Sequence, residues 1–368
     1  MDKRITFVGL DVHKSSISIA LADEGSTENP RFYGKIGGDI ESLMKTVRKL
    51  QSTGATLRFA YEAGPCGYDI FRNLKKEGFD CIVVAPSLIP KKSGDRIKND
   101  RRDALGLARL HRAGELTAVY VPTEEDEAMR DLTRAREDEV KALRVARQVL
   151  LAFLLRLGYR YSGQSHWSHA HFDWIAGIKM PHTAQQIALQ EYVHAVKENA
   201  ARVDRLTKQI QELYLTWEHG PMVKALQALR GVSLIVAVTT ISEVGDLTRF
   251  DSPKQFMAYL GLVPSQHSSG TTIKFGSITK TGNGHVRKVL IEAAQAYSHP
   301  ARETRALLTR LEGLPQDVKE IAWKAQLRLC ARFKRLQARG KNRNSVVTAT
   351  ARELAGFMWA IACAMVPA

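Results

Sequence analysis

The chain has 368 residues, 44% of them hydrophobic, with 54 Lys+Arg against 38 Asp+Glu for a formal charge of +16. An apolar share near the globular norm of about 45–50% excludes disorder and collagen-like structure, and the length suits two to three domains of roughly 100–200 residues. The four cysteines, Cys66, Cys81, Cys330 and Cys363, stand far apart without a Cys-x-x-Cys pair, which argues against a zinc knuckle or disulfide framework and predicts a reduced, cytoplasmic setting.

The charged segment before residue 6 predicts no secretory signal. The longest apolar run, residues 354–366, is shorter than the ~20 residues that cross a bilayer, so no membrane partner is expected. Residues 6–12 and 16–21 are rich in β-branched and apolar side chains and predict two antiparallel strands. A helix over about 39–51, a strand at 57–61, a helix over 68–76 closed by Gly78 and a buried strand at 81–85 ended by Pro86 follow. This is an α/β layout. A basic loop with Lys91, Lys92, Arg96 and Lys98 then leads into a helix over about 99–112 that stops at Gly114.

From 124 to 157 and from 183 to 217 the pattern is helical. In the second stretch Leu189, Val193, Val196, Ala200, Val203, Thr207, Ile210, Tyr214 and Trp217 follow a 4,3 spacing, apolar except at Thr207, as in a coiled-coil seam. Two long antiparallel helices, within one chain or shared by a dimer, are expected. The connection at 162–181, rich in Ser, His and Gly, reads as loop. Residues 229–237 read as helix, turn, helix: either a weak phosphate-holding hairpin, with Ser233 where a second glycine would belong, or an ordinary corner between helices. A helix over 254–260, a Gly/Ser/Thr-rich hairpin or mobile loop at 265–283, and helices to the C-terminus complete the pattern. The expected domains are 1–122, α/β; 123–220, helical coiled coil; and 221–368, mostly helical.

Charge is unevenly spread. Residues 231–368 hold 19 basic against 9 acidic side chains, +10 of the total, and residues 319–343 alone carry nine Lys/Arg against Glu320. Such a block repels itself unless a polyanion neutralises it. Nucleic acid is the polyanion predicted; a solvated helix face is the plainer alternative.

The acids carry the chemistry. Asp11 lies inside the first strand, where a charge is costly without a partner, Glu62 ends another strand, and Asp100 and Asp103 are three apart and so share a helix face. Carboxylates that converge repel one another unless cations hold them together, and Mg²⁺, a hard cation that prefers oxygen ligands, suits the chemistry of a phosphodiester. Each element alone is modest: Gly-Leu-Asp before a hairpin also opens actin-like sugar kinases, and an Asp pair on a helix is commonly solvated.

Together the motifs are specific. Gly-Leu-Asp-Val-His-Lys at 9–14, Tyr-Glu-Ala-Gly-Pro at 61–65, Lys-Asn-Asp-Arg-Arg-Asp-Ala at 98–104, Tyr-Leu-Gly-Leu-Val-Pro at 259–264, Ser-Ser-Gly at 268–270 and Ile-Thr-Lys-Thr-Gly-Asn at 278–283 resemble, in order and over nearly the whole chain, the DEDD-type insertion-sequence transposases, the bridge-RNA-guided recombinases. The resemblance implies a RuvC-like ribonuclease H fold whose Asp11, Glu62, Asp100 and Asp103 hold Mg²⁺, a dimerising coiled coil, and a C-terminal transposase domain with a nucleophilic serine. That role carries over to Ser269, which directly precedes Gly270, with Ser268 as the adjacent alternative. It also implies a composite site between protomers, a homodimer or a tetramer built from two, donor and target DNA and a bridge non-coding RNA as partners, and a nucleoid-associated cytoplasmic location.

A serine hydroxyl is a weak nucleophile until activated, and only His267 stands near Ser269 in sequence; the segment also reads as a flexible polar loop. Lys274, Lys280, Arg287 and Lys288 are candidate phosphate contacts, as are Lys91, Lys92, Arg96 and Lys98, with solvated surface as the alternative. Asn283, between two glycines, reads as a turn residue. His166, His169 and His171 with Asp173 could ligate a transition metal by residue type but lack the helical His-Glu-x-x-His spacing; loop or RNA contact by these histidines and Trp167 is the other reading. The function expected is a Mg²⁺-dependent transposase that exchanges strands through a covalent phosphoserine, for which no Walker A motif is needed. A RuvC-like nuclease using water and a non-catalytic nucleic-acid scaffold fit the same residues.

Overall fold

Side chains alternate across a strand, and in the N-terminal part of the chain the sheet has helices on both faces. A computed structural model describes residues 4–90, 99–269 and 272–366, and the chain divides into two compact units, 1–121 and 122–368. In the first unit β1 (Ile5–His13), β2 (Ser16–Asp23), β3 (Arg31–Gly37), β4 (Thr56–Glu62) and β5 (Asp80–Val84) form a sheet of order β3-β2-β1-β4-β5. Pairing is antiparallel across β1–β2 and β2–β3 and parallel across β1–β4 and β4–β5. β3 has no counterpart among the expected strands. Its Arg31, Gly34, Lys35 and Gly37 dilute the apolar signal, and it is held by pairing with β2 at the sheet edge.

Helices α1 (Ile40–Gln51) and α2 (Asp69–Lys76) cover one face. Val8, Leu10, Ile17, Ile19, Phe59 and Tyr61 of the sheet pack there with Leu43, Val47 and Leu74, and each large side chain fully buried stabilises the fold by ~1.5–3 kcal/mol. The opposite face is lined by small residues. Helix α3 (Asp100–Arg112) lies on it, with Ala104 and Ala108 against Phe7, Ala20 and Ala22. A Cβ on Gly9 would run into the Ala104 carbonyl and the Ala108 amide. The glycine of the Gly-Leu-Asp motif is thus a packing requirement that brings the α3 backbone down onto β1.

The second unit opens with a helical hairpin, α4 (Glu124–Arg156) against α6 (Thr183–Leu213). The pairing is antiparallel and intramolecular: Arg136 Nε donates to Thr207 Oγ1 at 2.7 Å, Arg202 pairs with Glu139 at 3.1 Å, and Phe153 meets Tyr192 edge-on. Of the expected seam, Leu189, Val196, Ile210 and Trp217 are buried. The connection read as loop contains α5 (His169–Ala176), capped by the Ser168 hydroxyl. Polar residues on its outer side hide its helical pattern, while Ile175, Phe172 and Trp174 pack onto the hairpin. His171 is fully buried among Tyr161, His166, Trp167 and Trp174, and its Nδ1 accepts the Trp167 amide at 3.1 Å.

Met129, Ile210 and Trp217 carry the base of the hairpin into a core formed with α7 (Gly220–Leu226), α8 (Leu234–Val244), α9 (Pro253–Tyr259), the β6 (Pro264–Ser269) and β7 (Thr272–Ile278) hairpin at its edge, α10 (Gly284–Ala294), α11 (Arg305–Leu311), α12 (Gln316–Ala338) and α13 (Arg343–Met365). The apolar run near the C-terminus belongs to α13, which is longer than the run itself. Among the described residues α13 is the one helix long and apolar enough to cross a membrane, and half of that window is buried inside the molecule, with Leu354, Met358 and Ile361 in the core.

Glu137 on α4 joins the hairpin to α10 through His285 at 2.5 Å and Lys288 at 3.1 Å. Burial pushes its carboxyl up, but the His285 and Lys288 contacts outweigh that and hold it at about 2. A lowered folded-state value means stability present above the ordinary carboxylate range and lost as pH falls from about 4.5 toward 2. In urea titrations, Glu137→Gln is expected to lose roughly 1 kcal/mol at pH 7, because solvent screens a pair whose partners are partly exposed, with the gap from wild type narrowing below pH ~4.5; a gap independent of pH would refute the assignment. Gly9→Ala is expected to cost at least ~2 kcal/mol by overpacking against backbone, and an unchanged urea midpoint would contradict the α3 packing.

Candidate metal centre and serine hairpin

The sheet register sets out the carboxylates. Phe7, Gly9, Asp11 and His13 share the β1 face covered by α3, and Asp11 is only 9% exposed. In the parallel ladder Leu10 pairs with Tyr61, so Glu62, half-buried at the end of β4, stands one step further at the level of Asp11 and on the same face. From above, α3 contributes Asp100 and Asp103 in its first turn, begun by Asn99, whose side chain accepts the Arg102 amide at 2.9 Å. Acids in a first turn also favour the helix dipole.

Burial pushes the Asp11 carboxyl above its ordinary value; His13 opposes this, and the like charges of Asp103 and Asp100 add to it. Asp100 is drawn down, first by the Lys35 hydrogen bond. Among the described residues Asp11, His13 and Asp100 form a group of donors whose ligand atoms lie within 4.8 Å of one another. His13 Nε2 sits 3.2 Å from Asp11 Oδ2 and 3.5 Å from Asp100 Oδ1. A donor set dominated by carboxylate oxygen fits a hard divalent cation, and the repulsion among Asp11, Asp100 and Asp103 is what such a cation relieves.

His13 and Lys35 were not among the residues singled out from sequence. His13 was legible through the strand period, since residues two apart share a face. Lys35 was not, because its strand went unrecognised.

The segment with Ser269 is a hairpin, with Ser269 opposite Thr272 and Ser268 opposite Ile273. Ser268 is exposed; the Ser269 side chain and residues Lys91, Lys92, Arg96 and Lys98 lie outside the described set. The base of the hairpin is pinned where two of the motifs meet. A Cβ on Gly261 would strike the backbone of Thr281, and one on Gly282 the Tyr259 carbonyl. Arg287 donates to the carbonyls of Leu260 and Thr281, both at 2.9 Å. Asn283 caps α10 and donates to Glu243 Oε2 at 2.6 Å.

Glu243 is buried, and burial alone would raise its carboxyl. Arg134, bound through both carboxylate oxygens at 2.7 and 2.9 Å, with Asn283 and Arg130, holds it below the ordinary range. Of the candidate phosphate contacts, Lys274 and Lys280 are exposed, Arg287 is engaged at the hairpin base and Lys288 pairs with Glu137. In the basic block on α12, Arg328 and Arg332 pair with Glu353 of α13.

The transposase model for the DEDD domain of IS110 elements matches residues 8–158, which contain all four acids, and the model described as Transposase IS116/IS110/IS902 family matches residues 223–308, which contain the hairpin. The transposase for insertion sequence element IS1533 of Leptospira borgpetersenii is 30% identical over 344 residues, 92% of this chain and 99% of that protein. The chain belongs to the IS110 family of DEDD transposases. The y4qE protein of Sinorhizobium fredii is 48% identical to this transposase over 361 residues, 98% of the chain and 89% of that protein. The pilin gene-inverting protein of Moraxella lacunata is 24% identical over 298 residues, 78% of the transposase and 82% of its own length.

If repulsion at Asp11 is what a cation relieves, removing that charge should stabilise the metal-free transposase. Asp11→Asn is expected to raise the thermal midpoint without metal by a few degrees, the scale of a ~1 kcal/mol change, and to abolish stabilisation by added MgCl₂. A variant still stabilised by MgCl₂ as much as wild type would remove Asp11 from the site.

Proposed function

We propose that this insertion-sequence transposase cleaves and rejoins DNA strands through a covalent phosphoserine at Ser269, with Asp11, Glu62, Asp100 and Asp103 holding Mg²⁺ in a RuvC-like, ribonuclease H-type domain. The observation that carries the reading is the crowding of Asp11, Asp100 and Asp103 at one end of the sheet, with Glu62 at the same level on the neighbouring strand. Bound there, the cation supplies charge neutralisation at the scissile phosphate and lowers the cost of a serine alkoxide. Ser269 Oγ forms a bond to phosphorus as one P–O ester bond of the strand breaks, and the serine proton passes to the departing DNA hydroxyl. Attack by the hydroxyl of another strand breaks the Oγ–P bond and reseals DNA, so the bond energy is conserved without ATP.

The exposed Lys274 and Lys280 beside the hairpin and the +10 carried by residues 231–368 support backbone contacts to donor and target DNA. A bridge RNA whose pairing carries sequence specificity follows the family resemblance and leaves the protein to read backbone and shape. Homodimerisation is supported by an outward stripe on α4: Ala142, Val145, Val149 and Ala152 keep 3,4 spacing, and Val145 and Val149 are 53% and 42% exposed.

Mixing the purified protein and its copurifying RNA with Mg²⁺ and DNA carrying the ends of its own element, then denaturing, tests the mechanism. A protein–DNA adduct lost in Ser269→Ala and kept in Ser268→Ala is expected. Cut DNA with free ends and no adduct in wild type would instead establish attack by water.

A further inference from the structure

The register of the sheet extends the carboxylate row in the other direction. Asp11 pairs with Ser18 across β1–β2, and Ser18 pairs with Lys35 across β2–β3. Paired residues face the same side, so Lys35, Ser18, Asp11 and Glu62 stand in one row across four strands, each about 4.8 Å from the next. Ser18 is short and buried, and it leaves room for the lysine to lean over it. Lys35 Nζ reaches Asp100 Oδ2 at 3.0 Å. The other oxygen of Asp100, Oδ1, faces His13 and, through it, Asp11. The two oxygens of one carboxylate therefore look toward different neighbours: Oδ2 out toward Lys35, Oδ1 in toward the acidic cluster.

We propose that Lys35 is a positioning residue of this site, anchoring Asp100 Oδ2 so that Oδ1 is presented toward Asp11 for a divalent cation. The inference rests on the divalent-cation reading above. A half-exposed Asp in the first turn of a helix otherwise samples several rotamers, and fixing it in advance removes that cost from cation binding. Outer-shell partners of metal-ligating carboxylates act in this way, and removing one typically weakens metal binding ~10–100-fold.

A competing effect has the opposite sign. Deleting a positive charge beside Asp100 makes the site more negative and, alone, tightens cation binding. Both partners of this pair are well exposed, with Lys35 at 53% and Asp100 at 42% of the side chain, so solvent screening limits that gain to ~5-fold or less. Orientation therefore outweighs charge, and net weakening is expected.

Free Mn²⁺ measured by electron paramagnetic resonance during titration of the full-length protein decides the matter. Lys35→Met is expected to weaken Mn²⁺ binding by ~10-fold or more, while Lys35→Arg, which keeps a charged donor, stays within a few-fold of wild type. Unchanged circular dichroism identifies folded variants, and Lys35→Gln serves if Lys35→Met fails to fold. Binding by folded Lys35→Met as tight as wild type, or tighter, would overturn the positioning role while leaving the cation site intact. Wild type that takes up no Mn²⁺ would overturn the cation reading itself, and the inference with it.

Discussion

Like charges gathered around a buried one must be balanced, and that constraint governs the N-terminal unit. Asp11 is buried in a strand, and Asp100 and Asp103 arrive from a helix that could have packed elsewhere. What brings them close is the absence of side-chain bulk: Gly9 with Ala20 and Ala22 on the sheet, Ala104 and Ala108 on α3. A larger residue at any of these positions would lift the helix and spread the acids. The unit therefore spends its packing freedom on proximity of charge, which is unfavourable for stability and useful only where a cation is to be held.

The C-terminal unit handles charge in the opposite way. One of its buried acids, Glu243, is surrounded by donors from two elements: Arg130 and Arg134 on α4, and Asn283 at the start of α10. Breaking such a buried cluster by removing one partner is costly, because the remaining charges stay buried. The cluster fixes the base of the β6–β7 hairpin against the helical hairpin. A two-stranded hairpin is marginal by itself, so its geometry is set by this anchored base. Part of the positive charge is likewise internal, since Arg328 and Arg332 neutralise Glu353. The share with no acidic partner among the described residues, including Lys274 and Lys280, is what remains for a polyanion.

Much of this was legible in the sequence where local pattern and local structure coincide. Asp11 stood out as a charge within an apolar strand, Asp100 and Asp103 as a pair on one helix face, and the 265–283 segment as a hairpin candidate. What was not legible depended on long-range pairing. Lys35 belongs to an edge strand with two glycines and two charges, whose extended form comes from β2, not from its own composition. α5 was masked by the Ser- and His-rich run before it and by the polar His169 and Asp173 on its outward face, and of the histidines grouped by residue type His171 is sealed among aromatic rings with His166 beside it. Asn283 read as a turn residue, and its bond to a glutamate 40 residues earlier has no local signature. Gly261 and Gly282 are explained only by the backbone beside each other, Thr281 against Gly261 and Tyr259 against Gly282.

The claim on which the rest depends is that the acids at the end of the sheet share one cation. Crystals soaked in Mn²⁺ and measured at wavelengths on either side of the manganese absorption edge locate that ion directly. A single anomalous peak bounded by Asp11 and Asp100, with Lys35 still on the outer oxygen of Asp100, is the expected result. Manganese bound elsewhere, with Asp11 still paired to His13 and no peak between the carboxylates, would contradict it.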